Sequence, residues 1–160
     1  GENQTNDITP LAKLSNLEKL LLPYIQISDL TPLAELNSLE WLYLSNNKIS
    51  DVTPLARLKN LQHLNLKANQ ISDISPLAAL KNLQGLDLSN NQITNVSSLA
   101  GLTNLQDLDL SNNEISNVSP LSELNNLTSL DLDGNSIINF EPVKNLSRTC
   151  RGCEISYQTF

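Results

Sequence analysis

LQHLNLKANQISDISPLAAL, residues 61–80, decides how this chain folds. Leu61, Leu64, Leu66, Asn69 and Ile71 follow the pattern L-x-x-L-x-L-x-x-N-x-I, and Ile74, Leu77 and Leu80 continue the apolar series to Leu83, where the pattern begins again. Working outward, Leu17, Leu39, Leu61, Leu83, Leu105 and Leu127 stand 22 residues apart and each opens a copy. A fixed period of this length marks stacked units, because one copy cannot bury its leucines alone while neighbouring copies can share a core.

Within a copy, Leu64 and Leu66 alternate with polar neighbours, which predicts a short strand with one buried and one exposed face. Identical strands stack in parallel, and six rungs about 4.8 Å apart make a concave sheet roughly 24 Å long. Asn47, Asn69, Asn91, Asn113 and Asn135 recur where the chain leaves each strand. An amide there can pair with backbone groups that would otherwise be orphaned. On the return side, segments such as Asp73 to Leu77 put Pro76 at the start of a helical turn, with the polar residue before it as cap. The remaining length fits a single 3-10 turn.

Both ends depart from the pattern, as terminal units of a stack do. Asp7 to Leu11, with Leu14, is the back half of a copy without its strand, and the first full copy has Ile25 in place of the asparagine. Later, Phe140 and Val143 replace the usual residues, and the pattern stops after Leu146. The expected organisation is one domain over residues 1–160, with an N-terminal half-repeat or cap at 1–16, six repeats over 17–146 and a C-terminal cap at 147–160. Ile155, Tyr157 and Phe160 are expected to cover the last rung.

A composition of 39% hydrophobic and 17% charged residues fits a soluble globular chain. The formal charge of −7 opposes the counterion release that drives nucleic-acid binding, and it opposes docking on anionic lipid. No apolar run reaches the roughly 20 residues that span a bilayer. Neither nucleic acid nor membrane insertion is therefore expected. The chain starts at Gly1 and holds no methionine, so a processing boundary is expected there.

The D-I-S-P-L-A-x-L-x-N-L motif at Asp73 to Leu83, repeated with variations at a 22-residue period, resembles the repeat of the internalins and related bacterial leucine-rich-repeat proteins over residues 7–146. The resemblance implies an α/β right-handed leucine-rich-repeat solenoid, with a parallel concave β-sheet and 3-10 turns on its convex face. It also implies a concave face that grips partner proteins, and a secreted or cell-surface location, with the cytoplasm as the alternative. Neither the internalins' helical N-terminal cap nor their immunoglobulin-like domain is expected in these 160 residues, which separates partner binding from host-cell invasion.

With Leu64 and Leu66 inward, His63, Asn65 and Lys67 point outward, and the same register runs through every copy. The N-terminal half of the face then collects Leu21, Trp41 and Tyr43, with Tyr24 nearby. The C-terminal half carries Asp87, Asp107, Asp109, Asp131 and Asp133, and Ser89 and Ser111 are also expected outward. Trp and Tyr on a rigid platform supply large contact area at little entropic cost, so Trp41 and Tyr43 are expected to anchor a partner; the alternative is that they merely shield neighbouring strands. The aspartates would repel across adjacent rungs unless a basic partner relieves them. A solvated acidic surface and a calcium site are the competing readings.

Catalysis, metals and cofactors are not expected. His63 is the only histidine and has no evident nucleophile beside it, and no glycine-rich phosphate loop is present. Cys150 and Cys153 supply two of the four ligands that a structural zinc needs. A local disulfide or buried thiols closing the cap is the first expectation, an intermolecular link the second, and metal or redox chemistry the last. The resulting expectation is a monomeric protein-interaction module, with a dimer through the C-terminal cap, or a structural, self-assembling segment of a surface protein, as alternatives.

Overall fold

The computed structural model describes residues 6–146 together with the strand at 154–156. Six short strands fall where the alternating leucines predict them: β1 (Lys19–Leu21), β2 (Trp41–Tyr43), β3 (His63–Asn65), β4 (Gly85–Asp87), β5 (Asp107–Asp109) and β6 (Ser129–Asp131). A seventh, β7 (Glu154–Ser156), was not expected. All pair in parallel and in sequence order, so the sheet is a simple stack from β1 to β7. The fold is a right-handed leucine-rich-repeat solenoid with its sheet on the concave side.

Each rung's central leucine points into the core, from Leu20 through Leu42, Leu64, Leu86 and Leu108 to Leu130. In the second repeat Leu39, Leu42, Leu44, Ile49, Val52, Leu55 and Leu58 are each at most 1% exposed. Full burial of one such side chain is worth about 1.5–3 kcal/mol, and here these residues share one continuous core with the leucines, isoleucines and valines of the flanking repeats. The solenoid therefore exists as a stack or not at all.

Among the described residues, seven 3-10 turns form the convex side: η1 (Thr9–Lys13), η2 (Thr31–Leu33), η3 (Thr53–Arg57), η4 (Ser75–Ala79), η5 (Ser97–Leu99), η6 (Ser119–Leu121) and η7 (Glu141–Val143). Proline sits in the first two positions of every turn but η5. The cap differs from expectation. The Ser or Thr before the proline is already the turn's first residue, and its N–H donates to an Asp or Asn two residues earlier, as from Thr53 to Asp51 Oδ1 at 2.8 Å and from Ser119 to Asn117 Oδ1 at 2.9 Å. A side chain two residues back reaches a backbone N–H that an adjacent one cannot.

The expected asparagine ladder is present. Asn113 Nδ2 donates to the carbonyls of Leu88 and Leu110 at 3.0 Å, while its Oδ1 accepts the Ile93 N–H at 3.0 Å. One amide thus ties two successive repeats through groups no strand could satisfy. The residue before each ladder asparagine is left-handed: Asn46, Ala68, Asn90, Asn112 and Gly134 have φ of 57°, 53°, 57°, 54° and 70°. Asn and Gly tolerate this region, and Ala68 does not do so readily. A second ladder runs along one flank, where Asn60, Asn82, Asn104 and Asn126 donate to carbonyls of the preceding repeat at 2.7–2.9 Å.

Candidate interaction face

Strand pairing assembles two columns on the concave face. Lys19, Trp41, His63, Gly85, Asp107 and Ser129 align in one; Leu21, Tyr43, Asn65, Asp87, Asp109 and Asp131 align in the other. Adjacent rungs bring same-column side chains into contact, so each column acts as a row of stacked groups.

In the first column the Trp41 and His63 rings stack 3.7 Å apart at 17°, with Lys19 Nζ 5.6 Å from the Trp41 ring. Tyr43, one step across, lies near parallel to Trp41 with ring centroids 6.5 Å apart. The imidazole ends over Gly85, where an added Cβ would lie 2.6 Å from His63 Nδ1. Trp41, Tyr43 and His63 are consequently half-buried by one another and present a continuous aromatic ridge. Leu21 and Tyr24 stand at its N-terminal end, 55% and 73% exposed.

The second column turns from amide to acid. Asn65 Nδ2 donates to Asp87 Oδ2 at 3.0 Å. Asp87 Oδ1 accepts the Ser89 N–H at 3.0 Å and its hydroxyl at 2.7 Å, and Asp109 Oδ1 holds Ser111 in the same way at 2.9 and 2.6 Å. Ser89 and Ser111 are therefore buried, 0% and 7% exposed, and the expectation that they face outward is corrected. Each aspartate pulls the serine two residues on beneath the surface and is itself held in place by it.

Residue 133 being an aspartate, Asp131 has no hydroxyl two residues on, and it accepts the Asp133 N–H at 3.0 Å. Burial pushes the Asp131 carboxyl above the ordinary carboxylate range, and the charges of Asp109 and Asp133 add to the rise. Asp133 is half-buried, with a buried Oδ1 that has no partner among the described residues. Lys67 stands exposed at the flank, and Asp107 faces Gly85 across the first column.

Between the ridge and the acids lies an open trough of about 310 Å³, lined by Tyr43, His63, Gly85, Asp87, Asp107 and Asp109 among others. The alternation put Lys19 and Gly85 outward on this face without counting them among the binding residues, and it read as outward two serines that are buried. The signal for Lys19 and Gly85 was present: Lys19, Trp41, His63 and Gly85 are spaced 22 apart, so a glycine following a ring in the same column marks where the ring lies. Among the described residues no group of three His, Cys, Asp or Glu is arranged to hold a metal ion. Cys150 and Cys153 lie outside the described residues, as do Tyr157 and Phe160. No helix among the described residues is long and apolar enough to cross a membrane.

The family described as Leucine Rich repeats (2 copies) matches residues 37–79, 81–123 and 103–146. No curated protein matches the chain. Among solved structures, an internalin C2 from Listeria monocytogenes is 39% identical, with a TM-score of 0.88 over 96% of this chain and 66% of its own. An internalin (inlF) from the same species is 34% identical, with a TM-score of 0.82 over 95% of this chain and 52% of its own. The ectodomain of a plant membrane receptor kinase from Arabidopsis thaliana, in complex with Casparian strip integrity factor 2, is 28% identical, with a TM-score of 0.77 over 92% of this chain and 19% of its own. The chain thus spans 52% and 66% of the length of the two internalins.

Proposed function

The chain belongs to the leucine-rich-repeat family as an internalin-like solenoid, and on that premise we propose that it is a non-enzymatic interaction module whose concave face holds a partner protein. The observation that carries this reading is the ridge of Trp41, His63 and Tyr43 standing beside an uncovered acidic row on one rigid sheet. Stacked rings lose little freedom on binding, so they supply affinity; the aspartates steer a basic partner and supply rate. Leu21, Asn65 and Lys67 extend the contact at its margins. The plant receptor ectodomain solved with a bound factor supports the general use of such solenoids for binding. The kinship with internalins supports a bacterial protein that is secreted or displayed on the cell surface.

The test is capture of a partner by the parent chain and by a folded Trp41→Ala/Tyr43→Ala double variant. A protein retained by the parent and lost by the variant supports the reading; equal retention by both overturns it.

A second reading, self-association, is favoured by one observation. Among the described residues β1 pairs on one side only, and Leu14 and Leu21 stand 47% and 55% exposed near that edge. Sedimentation of the chain with and without reductant separates association through the edge from a link through Cys150 and Cys153.

A further inference from the structure

We propose that the trough over Gly85 seats an arginine side chain carried on an extended basic segment of the partner. The proposal rests on the concave face being the binding surface and adds the chemistry of what it binds.

The hollow exists because Gly85 is the only residue of its column without a side chain. The His63 ring lies over the near side of Gly85, and the open space runs beyond it toward Asp107, two rungs from His63. At about 310 Å³ the space accommodates one long side chain and excludes a folded element.

Its acceptors are fixed in advance. The Oδ1 atoms of Asp87, Asp109 and Asp131 are each held by the backbone N–H two residues on, and Ser89 and Ser111 add their hydroxyls to the first two. The second oxygens of Asp109 and Asp131 have no hydrogen bond among the described residues. A carboxylate already immobilised loses little entropy on binding.

Among the described residues no ion pair involves the row. The two ion pairs among the described residues, Arg57 with Glu35 and Lys144 with Glu141, both lie elsewhere. Among the described residues no three acids converge on one metal position, so relief falls to a donor that spans rungs. A guanidinium does this with five N–H groups in one plane, and that plane can lie against the flat His63 ring; a compact ammonium can do neither. Burial, with a smaller part from the charges of Asp109 and Asp133, raises the Asp131 carboxyl, and a cation beside it would act in the opposite direction.

The test uses three seven-residue peptides in which serine alternates with arginine, lysine or citrulline, titrated into the isotopically labelled chain and followed by amide NMR. The arginine peptide is expected to shift Gly85, Asp87 and Asp109 most, and the neutral citrulline peptide to bind about ten- to a hundredfold more weakly. Gly85→Ala and, independently, Asp109→Asn are expected to weaken the arginine peptide about tenfold or more. Asp109→Asn keeps the side-chain shape and carries the test should Gly85→Ala fail to fold. Equal binding of the citrulline peptide, shifts spread over the acidic surface without a centre at Gly85, or unchanged affinity in Asp109→Asn overturns the proposal. Should the peptides fail while capture of the partner still depends on Trp41 and Tyr43, the arginine seat falls and concave-face binding stands.

Discussion

Ala68 occupies the left-handed position, with φ 53°, that asparagine or glycine fills in the four other regular repeats. A Cβ there crowds the following carbonyl, so Ala68→Gly is expected to stabilise the fold by about 0.5–1 kcal/mol in urea unfolding, and a less stable variant would contradict that strain. Gly85→Ala acts differently: the new methyl displaces His63, whose side chain can move. Its circular dichroism should match the parent, while the upfield shift that the Trp41 ring imposes on the His63 ring protons is lost. Titration separates two kinds of aspartate. Hydrogen bonds from Thr31, Thr53 and Ser75 hold Asp29, Asp51 and Asp73 below the ordinary range, so their stabilisation is full above the unfolded-state pKa and lost as pH falls through the lowered values. Asp131, raised by burial, favours the folded state most at low pH and loses that contribution as pH rises through its folded pKa. Carboxyl NMR should find Asp131 titrating above Asp51; the reverse order would refute the burial assigned to it. The identity of these residues was legible in the sequence, but the contacts that set their behaviour were not, because Ser89 and Ser111 look outward by alternation until the aspartate before them draws them in.

Among elements, strands and turns were legible because each repeats a pattern that only one packing satisfies. The alternation at Leu64 and Leu66 fixes β3, and Pro76 fixes η4. β7 was not legible: it follows β6 by 25 residues rather than 22 and lacks the leucine signature, so only pairing with Ser129–Asp131 reveals it. The asparagine ladder joins element to element, and it is the sharpest target for mutation. Asn113→Ala leaves the Ile93 N–H without its acceptor and takes one of two amide donors from each of the Leu88 and Leu110 carbonyls, which keep Asn91 and Asn135. At about 1–3 kcal/mol for one buried N–H left unpaired, chemical denaturation should show a loss of about that size. A loss under about 1 kcal/mol would mean that the neighbouring strands, and not the amide, hold the turn.

The molecule as a whole is a one-dimensional stack with its two chemistries segregated, aromatic toward the N-terminal rungs and acidic toward the C-terminal ones. Segregation of this kind predicts how binding responds to salt: added salt should slow association far more than it speeds dissociation, and a salt-independent on-rate would remove the steering role of the aspartates. What the partner is lies outside what repeats encode, since the period specifies a scaffold and leaves the outward positions free to vary. The most direct measurement is the affinity of the captured partner for the parent, for Trp41→Ala/Tyr43→Ala, for Asp109→Asn/Asp131→Asn and for Lys59→Ala/Lys81→Ala, the last pair lying exposed just beyond η3 and η4. Binding by the concave face requires the aromatic pair to cost about thirtyfold or more and the acidic pair about tenfold, with the lysine pair unchanged. Full affinity in both concave variants together with loss in the lysine variant would place the partner on the convex side and contradict it.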